Sequence, residues 1–196
     1  MNNMPNQTKF IAVGRGASTV LSHLPEIGIS KDRCLSAVPV IKEEKPFLNS
    51  VWVDLIFEID EKKQKVGEEL YKVSLSCEHE IDTFIADAER LIIVCCLGTL
   101  SGLMTTPRII RLAERKGIPV SVIVAKPFTW EGQTWGLRAE RSLGNLKNKV
   151  KDLIVYNMDK AFDGLDPNTP TRELFKIVDK EMLNLIKEKV YFSKKD

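Results

Sequence analysis

Short apolar runs, small-residue loops and amphipathic stretches alternate along this chain. Lys9-Phe10-Ile11-Ala12-Val13 leads into Gly14-Arg15-Gly16-Ala17-Ser18-Thr19, then Val20, Leu21 and Leu24, which reads as strand, glycine loop and helix. Cys34 to Ile41 is a second apolar run, and Pro39 inside it argues against a central strand. Val51, Val53, Leu55, Phe57 and Ile59 share one face of a period-2 pattern, which predicts a strand with one side buried. The charged stretch Asp60 to Glu69 separates that strand from Tyr71 to Leu75, and the two are expected to pair in a long-looped antiparallel hairpin at 51–75.

Ile81, Phe84, Ile85 and Ala88 have helical spacing, and Leu91-Ile92-Ile93-Val94-Cys95-Cys96 is wholly apolar, as a strand covered on both faces requires. Gly98 to Met104 is a second small-residue loop. Thr106-Pro107 predicts an N-cap with proline at the first helical position, Ile109, Ile110, Leu112 and Ala113 supply the buried stripe, and Gly117 the stop. Ile118 to Ala125 and Leu153 to Tyr156 read as strands. Leu137, Leu143 and Leu146 mark the helix between them, which Gly136 and Gly144 weaken. Thr169-Pro170 starts the longest element, where Leu174, Phe175, Val178, Met182, Leu185 and Ile186 repeat at helical spacing. A helix from about Pro170 to Phe192 is ~33 Å long. The alternation of strands and helices predicts an α/β fold, a mainly parallel sheet with helices on both faces, in one domain over residues 1–196.

Composition narrows the partners. The 196 residues carry 29 Lys and Arg against 27 Asp and Glu, a formal charge of +2, with 43% apolar content. That apolar content excludes a disordered or collagen-like chain. The nearly balanced, interspersed charges give no electrostatic case for nucleic acid or a membrane surface. No apolar run approaches the ~20 residues of a membrane span, and the polar Met1 to Lys9 is unlike a secretory signal. Residues 1–8 are expected to form a flexible tail. Cys95 and Cys96 sit inside an apolar run, Cys34 and Cys77 are isolated, and no metal-ligand spacing occurs, so all four read as structural and the compartment as the reducing cytoplasm. His23 and His79 are isolated and carry no assigned role.

Candidate chemistry lies in the two glycine loops. In a parallel sheet, ligands bind beyond the carboxyl ends of the strands, where backbone N–H groups at helix starts face an anion that small side chains allow to approach. Gly14 to Thr19 has the Gly-x-Gly of such a loop, but Thr19 stands where a dinucleotide fold has its third glycine and the P-loop ending is missing. Gly98-Thr99-Leu100-Ser101-Gly102 is the second, with Leu100, Leu103 and Met104 crowding it. Trp130 and Trp135 flank Glu131-Gly132, either as a partner contact or as cover for the sheet edge.

The order of the later segments resembles the GTP-binding domain of the FtsZ/tubulin family, FtsZ in particular. The carriers are Leu91 to Met104, Thr106-Pro107, Gly117 to Val124, Lys126-Pro127-Phe128-Thr129-Trp130-Glu131-Gly132, Ala139-Glu140 and Asn157-Met158-Asp159-Lys160. They stand in the order of the family's GGGTGTG loop, Ala-Pro helix start, Gly-Ile turn, TKPFxFEG, AE helix and PNDK. The likeness covers about Lys9 to Tyr191 and departs over 42–80, where Lys62-Lys63-Gln64-Lys65 replaces a glycine-rich phosphate loop. It implies a three-layer α/β fold of the tubulin/FtsZ nucleotide-binding type, with GTP or GDP as ligand.

Carried over residue by residue, the resemblance assigns Gly14, Gly16, Ser18 and Thr19 to the first phosphate loop, with Arg15 and Ala17 replacing glycines. Gly98, Thr99, Ser101 and Gly102 fall in the second, and Glu140 matches the glutamate on the ribose. Met158 replaces a polar asparagine. Phe175 matches the residue stacked on guanine, and Asp179 the acceptor of its N1–H and N2–H. Plainer readings exist for several of these: Phe175 on the apolar stripe as a packing residue, Glu140 as an exposed charge, Arg15 as a phosphate partner or a surface arginine. The sequence ends at Asp196, shortly after the long helix, so the family's following acidic loop and second domain are not expected here, nor efficient hydrolysis. Ile177, Leu183, Val190 and Tyr191 lie off the main stripe of that helix. They are expected to form a patch that a protein partner or a second copy buries, with packing on the domain's own helices as the other arrangement. The readings are thus a nucleotide-binding protein acting through association, or an interaction module without nucleotide whose phosphate loops have degraded.

Overall fold

The computed structural model describes residues 7–39, 50–53, 55–59, 71–166 and 168–192. Six strands form one parallel sheet: β1 (Thr8–Val13), β2 (Cys34–Pro39), β3 (Ser50–Val53), β6 (Arg90–Cys96), β7 (Val120–Lys126) and β8 (Asp152–Asn157), in the order β3-β2-β1-β6-β7-β8. A separate antiparallel ribbon joins β4 (Leu55–Ile59) to β5 (Tyr71–Leu75). The helices are α1 (Arg15–Ser22), α2 (Glu78–Phe84), α3 (Leu100–Met104), α4 (Thr106–Arg115), α5 (Gln133–Lys147) and α6 (Thr171–Tyr191). This is the α/β architecture expected from the alternation, with the long terminal helix in place.

Strand periodicity divides the interior in two. The odd-numbered Leu91, Ile93 and Cys95 of β6 face a core shared with Ile81 of α2, Ile109 and Ala113 of α4, and Ala139, Leu143 and Leu146 of α5. The even-numbered Ile92 and Val94 face the other core, with Val20 and Leu21 of α1 and Leu174, Val178, Met182, Ile186 and Val190 of α6. The four-residue spacing of that last set places one straight apolar row along α6, because residues four apart lie on one helix face. Burying each large aliphatic side chain is worth about 1.5–3 kcal/mol, so the central strand, closed on both sides, anchors the fold.

Several sequence expectations are corrected. The alternation over 51–59 is shared between two strands: β3 pairs with β2 in the parallel sheet, and only Leu55–Ile59 enters the ribbon, so the hairpin spans 55–75. Period 2 states that a segment is extended and names no partner. β2 is interior to the sheet, and Pro39 is accommodated as its last residue. Thr8, placed in a tail, is buried as the first residue of β1. Leu137 is 64% exposed, and α5 buries Ala139, Ser142, Leu143 and Leu146 instead. Neither Thr106 nor Thr169 caps a helix by a side-chain hydrogen bond: Thr106 is already the first residue of α4, and Pro170 occupies the N-cap of α6. Lys62 to Lys65 lie outside the described residues.

The patch expected on α6 is not formed by the residues named for it. Val190 is in the core, and Ile177, Leu183 and Tyr191 pack half-buried against it. The Tyr191 hydroxyl donates to the Ile27 carbonyl at 2.8 Å, which fastens the end of α6 to the turn Leu24–Ile27 after α1. The Lys189 ammonium lies 2.7 Å from Asp152 at the start of β8, and Asp152 is also the acceptor of the Ser121 hydroxyl. The off-stripe residues therefore serve the domain's own packing.

Candidate functional site

All six parallel strands end on one side, and β1 and β6 are neighbours, with Val13 opposite Cys95. The two glycine loops leave the sheet side by side. Gly14 turns at φ +87°, a conformation side chains resist, and its N–H donates to the Ala37 carbonyl of β2 at 2.9 Å. A Cβ at Gly14 would lie 3.8 Å from the Cβ of Ser101, so the loops touch there. No side-chain hydrogen bond caps α1; its first-turn N–H groups have no intrahelical partners, and that of Ala17 is turned to the Cys96 sulfur.

The hydroxyls of this loop are turned inward. Ser18 is buried and donates to the Gly14 carbonyl at 2.9 Å; Thr19 donates to the Arg15 carbonyl at 3.3 Å. Each hydroxyl has one proton, already engaged, so neither donates to an anion as arranged.

The second loop is a capped helix start. Thr99 accepts from the Gly102 N–H at 2.9 Å and donates to the Cys96 carbonyl at 3.1 Å, and the Leu103 N–H donates to the Thr99 carbonyl at 3.1 Å. Gly98, at φ +87°, sits under Trp135: a Cβ there would meet the indole at 3.0 Å and the Trp135 carbonyl at 3.1 Å. Gly102 has the tightest fit, since its Cβ would lie 2.6 Å from the Cys96 carbonyl oxygen. Leu100 is 44% exposed on the solvent side of the loop.

Between the loops lies Cys96, the last residue of β6. The Cys96 sulfur would be 3.1 Å from a Cβ at Gly16, so it fills the space beneath α1. Burial above all, with Cys95 and the carboxylates of Asp179 and Glu131 adding to it, pushes its thiol up to about 12. The available signal was parity: Cys96 continues the even-numbered series of β6 that faces α1.

A cluster of aromatic rings borders the loops. The buried Phe128 ring stacks on Trp130 with centroids 5.2 Å apart and meets Phe162 and Phe175 edge-on at 5.5 and 5.6 Å. Thr129 donates from its N–H at 2.9 Å and its hydroxyl at 2.5 Å to Asp159, and the Phe128 N–H donates to Glu131 at 2.8 Å. These bonds fix the β7 loop against the turn Met158–Phe162. Trp130 remains 54% exposed and Phe175 41%. Met158 is buried in the core beneath α6.

Asp179 follows Phe175 by one turn of α6. It is half-buried, and among the described residues it makes no hydrogen bond or ion pair. Burial raises its carboxyl above the ordinary value, and His23, engaged with Glu26 at 2.7 Å, offsets this only in part. Glu140 is paired with Lys126 at 2.5 Å on the other flank, and Pro127, next to that lysine, lies under Gly98. The structure thus gathers Gly14, Gly16, Gly98, Thr99, Ser101, Gly102, Phe175 and Asp179 around the carboxyl end of the sheet; it turns the Ser18 and Thr19 hydroxyls into α1 and ties Glu140 to Lys126. Among the described residues, no group of three or more His, Cys, Asp or Glu side chains is arranged to hold a metal ion, and no helix is long and apolar enough to cross a membrane.

No model of a known protein family matches the chain. Cell division protein FtsZ 1 of Methanocaldococcus jannaschii is 31% identical to it over 132 residues, 67% of this chain and 35% of that protein. FtsZ of Helicobacter pylori is 28% identical over 181 residues, 90% of this chain and 46% of that one. The chain therefore spans about a third to a half of the curated relatives it matches. Among solved structures, an empty FtsZ dimer of M. jannaschii superposes with a TM-score of 0.74 at 20% identity, covering 98% of this chain and 57% of that one. A GTPγS-bound CetZ2 protofilament from Haloferax volcanii gives 0.68 at 18% identity, covering 94% and 58%.

Proposed function

Because the chain is an FtsZ/tubulin-like domain in sequence and in fold, we propose that it binds GTP or GDP and acts in the cytoplasm through self-association or a protein partner, with little hydrolysis of its own. The process is cell division, the one named for the relatives. The observation that carries the nucleotide reading is Asp179: a half-buried carboxylate without a donor, one helical turn beyond an exposed aromatic ring. A purine stacked on Phe175 brings its edge to that carboxylate. Guanine offers N1–H and N2–H, two donors for two oxygens, whereas adenine presents an acceptor at N1 and is repelled. Backbone N–H groups of α1 and the Arg15 guanidinium then face the phosphates. Self-association is supported by the dimer and the protofilament among the superposable structures. The reading of low hydrolysis is supported by the capped second loop, because rate acceleration needs donors aimed at developing charge and Thr99 already holds the Gly102 N–H.

The same capping favours the second reading, an interaction module without nucleotide, since Ser18, Thr19 and Thr99 all spend their hydroxyl protons within the chain. Denaturing the purified protein and analysing the supernatant for guanine nucleotide, then titrating GTP and GDP against wild type and Asp179→Ala, separates the two. The proposal expects released or saturably bound guanine nucleotide and at least a ten-fold loss in the variant. Absence of both leaves the interaction module. Light scattering with and without nucleotide reports whether assembly follows binding.

A further inference from the structure

β8 is an edge strand of the parallel sheet, and its outer side is bare. Among the described residues it pairs with β7 alone, and no backbone hydrogen bond reaches its other side. Where β6 and β7 bury every residue but the first and last, β8 buries only Tyr156; Val155 is 40% exposed, and Leu153 and Ile154 are half-buried. The covering helices sit inward of it, α4 on β6 and β7 and α6 on β7. Sheets guard such an edge with proline, a free charge, a bulge or a very short strand, because unpaired N–H and C=O groups are a template for another strand. β8 has none of these. It runs six residues without proline, in unbroken register with β7. Its one charged side chain, Asp152, is held by Lys189 of α6 at 2.7 Å.

We infer that β8 is a self-association edge: two copies of this chain pair their β8 strands antiparallel about a two-fold axis, so that one sheet continues into the other. The inference rests on the self-association reading above and needs no nucleotide. Register and charge both commit the edge to a second copy. Opposite residues of antiparallel strands share a face, so a two-fold axis normal to the sheet sets like parity opposite like. Centred on Ile154, it puts Ile154 opposite itself and Leu153 opposite Val155 on either side of the axis, which covers the exposed valine with a cross-strand apolar pair. Centred on Val155 or on Leu153, it would instead set Leu153 against Asn157 or Val155 against Lys151. The chain enters β8 through the exposed Lys147, Lys149 and Lys151, none with an ion pair among the described residues, and leaves it through Asp159, Asp163 and Asp166 against Lys160 alone. These ends lie about 20 Å apart. Antiparallel pairing lays the basic end of each copy on the acidic end of the other, whereas a parallel copy would set like against like.

The test is sedimentation velocity of the intact chain over a concentration series, without nucleotide. Wild type is expected to show a monomer–dimer equilibrium. Val155→Lys, which gives β8 the edge charge it lacks, should weaken the dimer at least about ten-fold, and the β-branched Val155→Thr should stay within about three-fold of wild type. The surface charges give a second reading that leaves the strand untouched. Lys149→Glu with Lys151→Glu in one chain, and Asp163→Lys with Asp166→Lys in another, should each weaken their own dimer. An equimolar mixture of the two should restore it, because both junctions of the mixed pair again join opposite charges. If Val155→Lys fails to fold by circular dichroism, the mixture decides. A wild-type dimer that folded Val155→Lys leaves intact, or charge variants that show no gain on mixing, overturns the inference and leaves self-association to another face. A chain that stays monomeric throughout the series overturns the inference together with self-association, and leaves the protein partner.

Discussion

Gly102→Ala inserts one methyl group where the second loop is tightest. Its Cβ would lie 2.6 Å from the Cys96 carbonyl oxygen and 3.1 Å from the Thr99 hydroxyl, so backbone must retreat by about 0.4 Å or more. Overpacking of this kind costs about 1–3 kcal/mol. Disturbing the Thr99 cap adds up to about 1 kcal/mol, and the better helix propensity of alanine returns about 0.5–1 kcal/mol. The net is a loss of up to about 3.5 kcal/mol, centred near about 2 kcal/mol. Gly144→Ala supplies the matched control: it is the same chemical change inside α5, where nothing lies within 4 Å of the new methyl. That variant should gain about 0.5–1 kcal/mol. Urea unfolding at 25 °C reads both, and in a thermal scan the expected shifts are a fall of roughly 5 °C for Gly102→Ala and a rise of roughly 2 °C for Gly144→Ala. Shifts of the same sign and similar size in the two variants would refute the steric argument, because propensity alone would then account for both.

Asp152 yields a pH signature. Burial alone would raise its carboxyl, but hydrogen bonds from Lys189 and Ser121, with the charges of Lys189 and Arg90, hold it below the ordinary value. Its contribution to stability is complete above the unfolded carboxylate value of about 3.9 and is lost as pH falls through the lower folded value. Asp152→Asn should therefore be less stable than wild type at pH 7 in denaturant melts, with the gap closing below about pH 4; a constant gap would remove the ionic basis. None of the four cysteines is in a disulfide, and burial pushes the Cys34 and Cys96 thiols up to about 12 and that of Cys95 to about 11. Iodoacetamide at pH 7.5 should modify none of these three within minutes in the native protein and all of them after unfolding. Rapid native labelling of Cys96 would show the space beneath α1 to be open.

How much was legible depended on whether a feature is local. The apolar run Leu91 to Cys96 announces a doubly covered strand because burial on two faces leaves no polar position, and β6 is that strand. Gly117 announces the end of α4 because its φ of +69° suits glycine after a helix. Partnership is a different matter. Nothing in Val51 to Ile59 tells that Val53 sides with the large sheet while Leu55 begins the ribbon. Tyr191 lies off the stripe that helical spacing defines, and its partner, the Ile27 carbonyl, lies far away in sequence. In the site, glycine and aromatic positions were visible as residue types. The inward hydroxyls of Ser18 and Thr99 were not, because the same side chain serves an anion or its own backbone according to one rotation.

The parity of β6 has a consequence for how changes in this chain combine. Val94 and Cys95 are joined by a peptide bond, yet they report to different interiors: Val94 to the one with Val178 and Met182 of α6, Cys95 to the one with Ile109 and Ala113 of α4. Substitutions at sequence neighbours in the strand should thus approach additivity, while Val94 and Met182, 88 positions apart, answer for a single shared volume and should compensate or conflict. Inheritance of tolerated changes in this domain is then expected to run in two ledgers kept on opposite faces of one strand. A repacking on the α6 side, where Phe175 and Asp179 reside, can proceed without disturbing the helices behind the sheet.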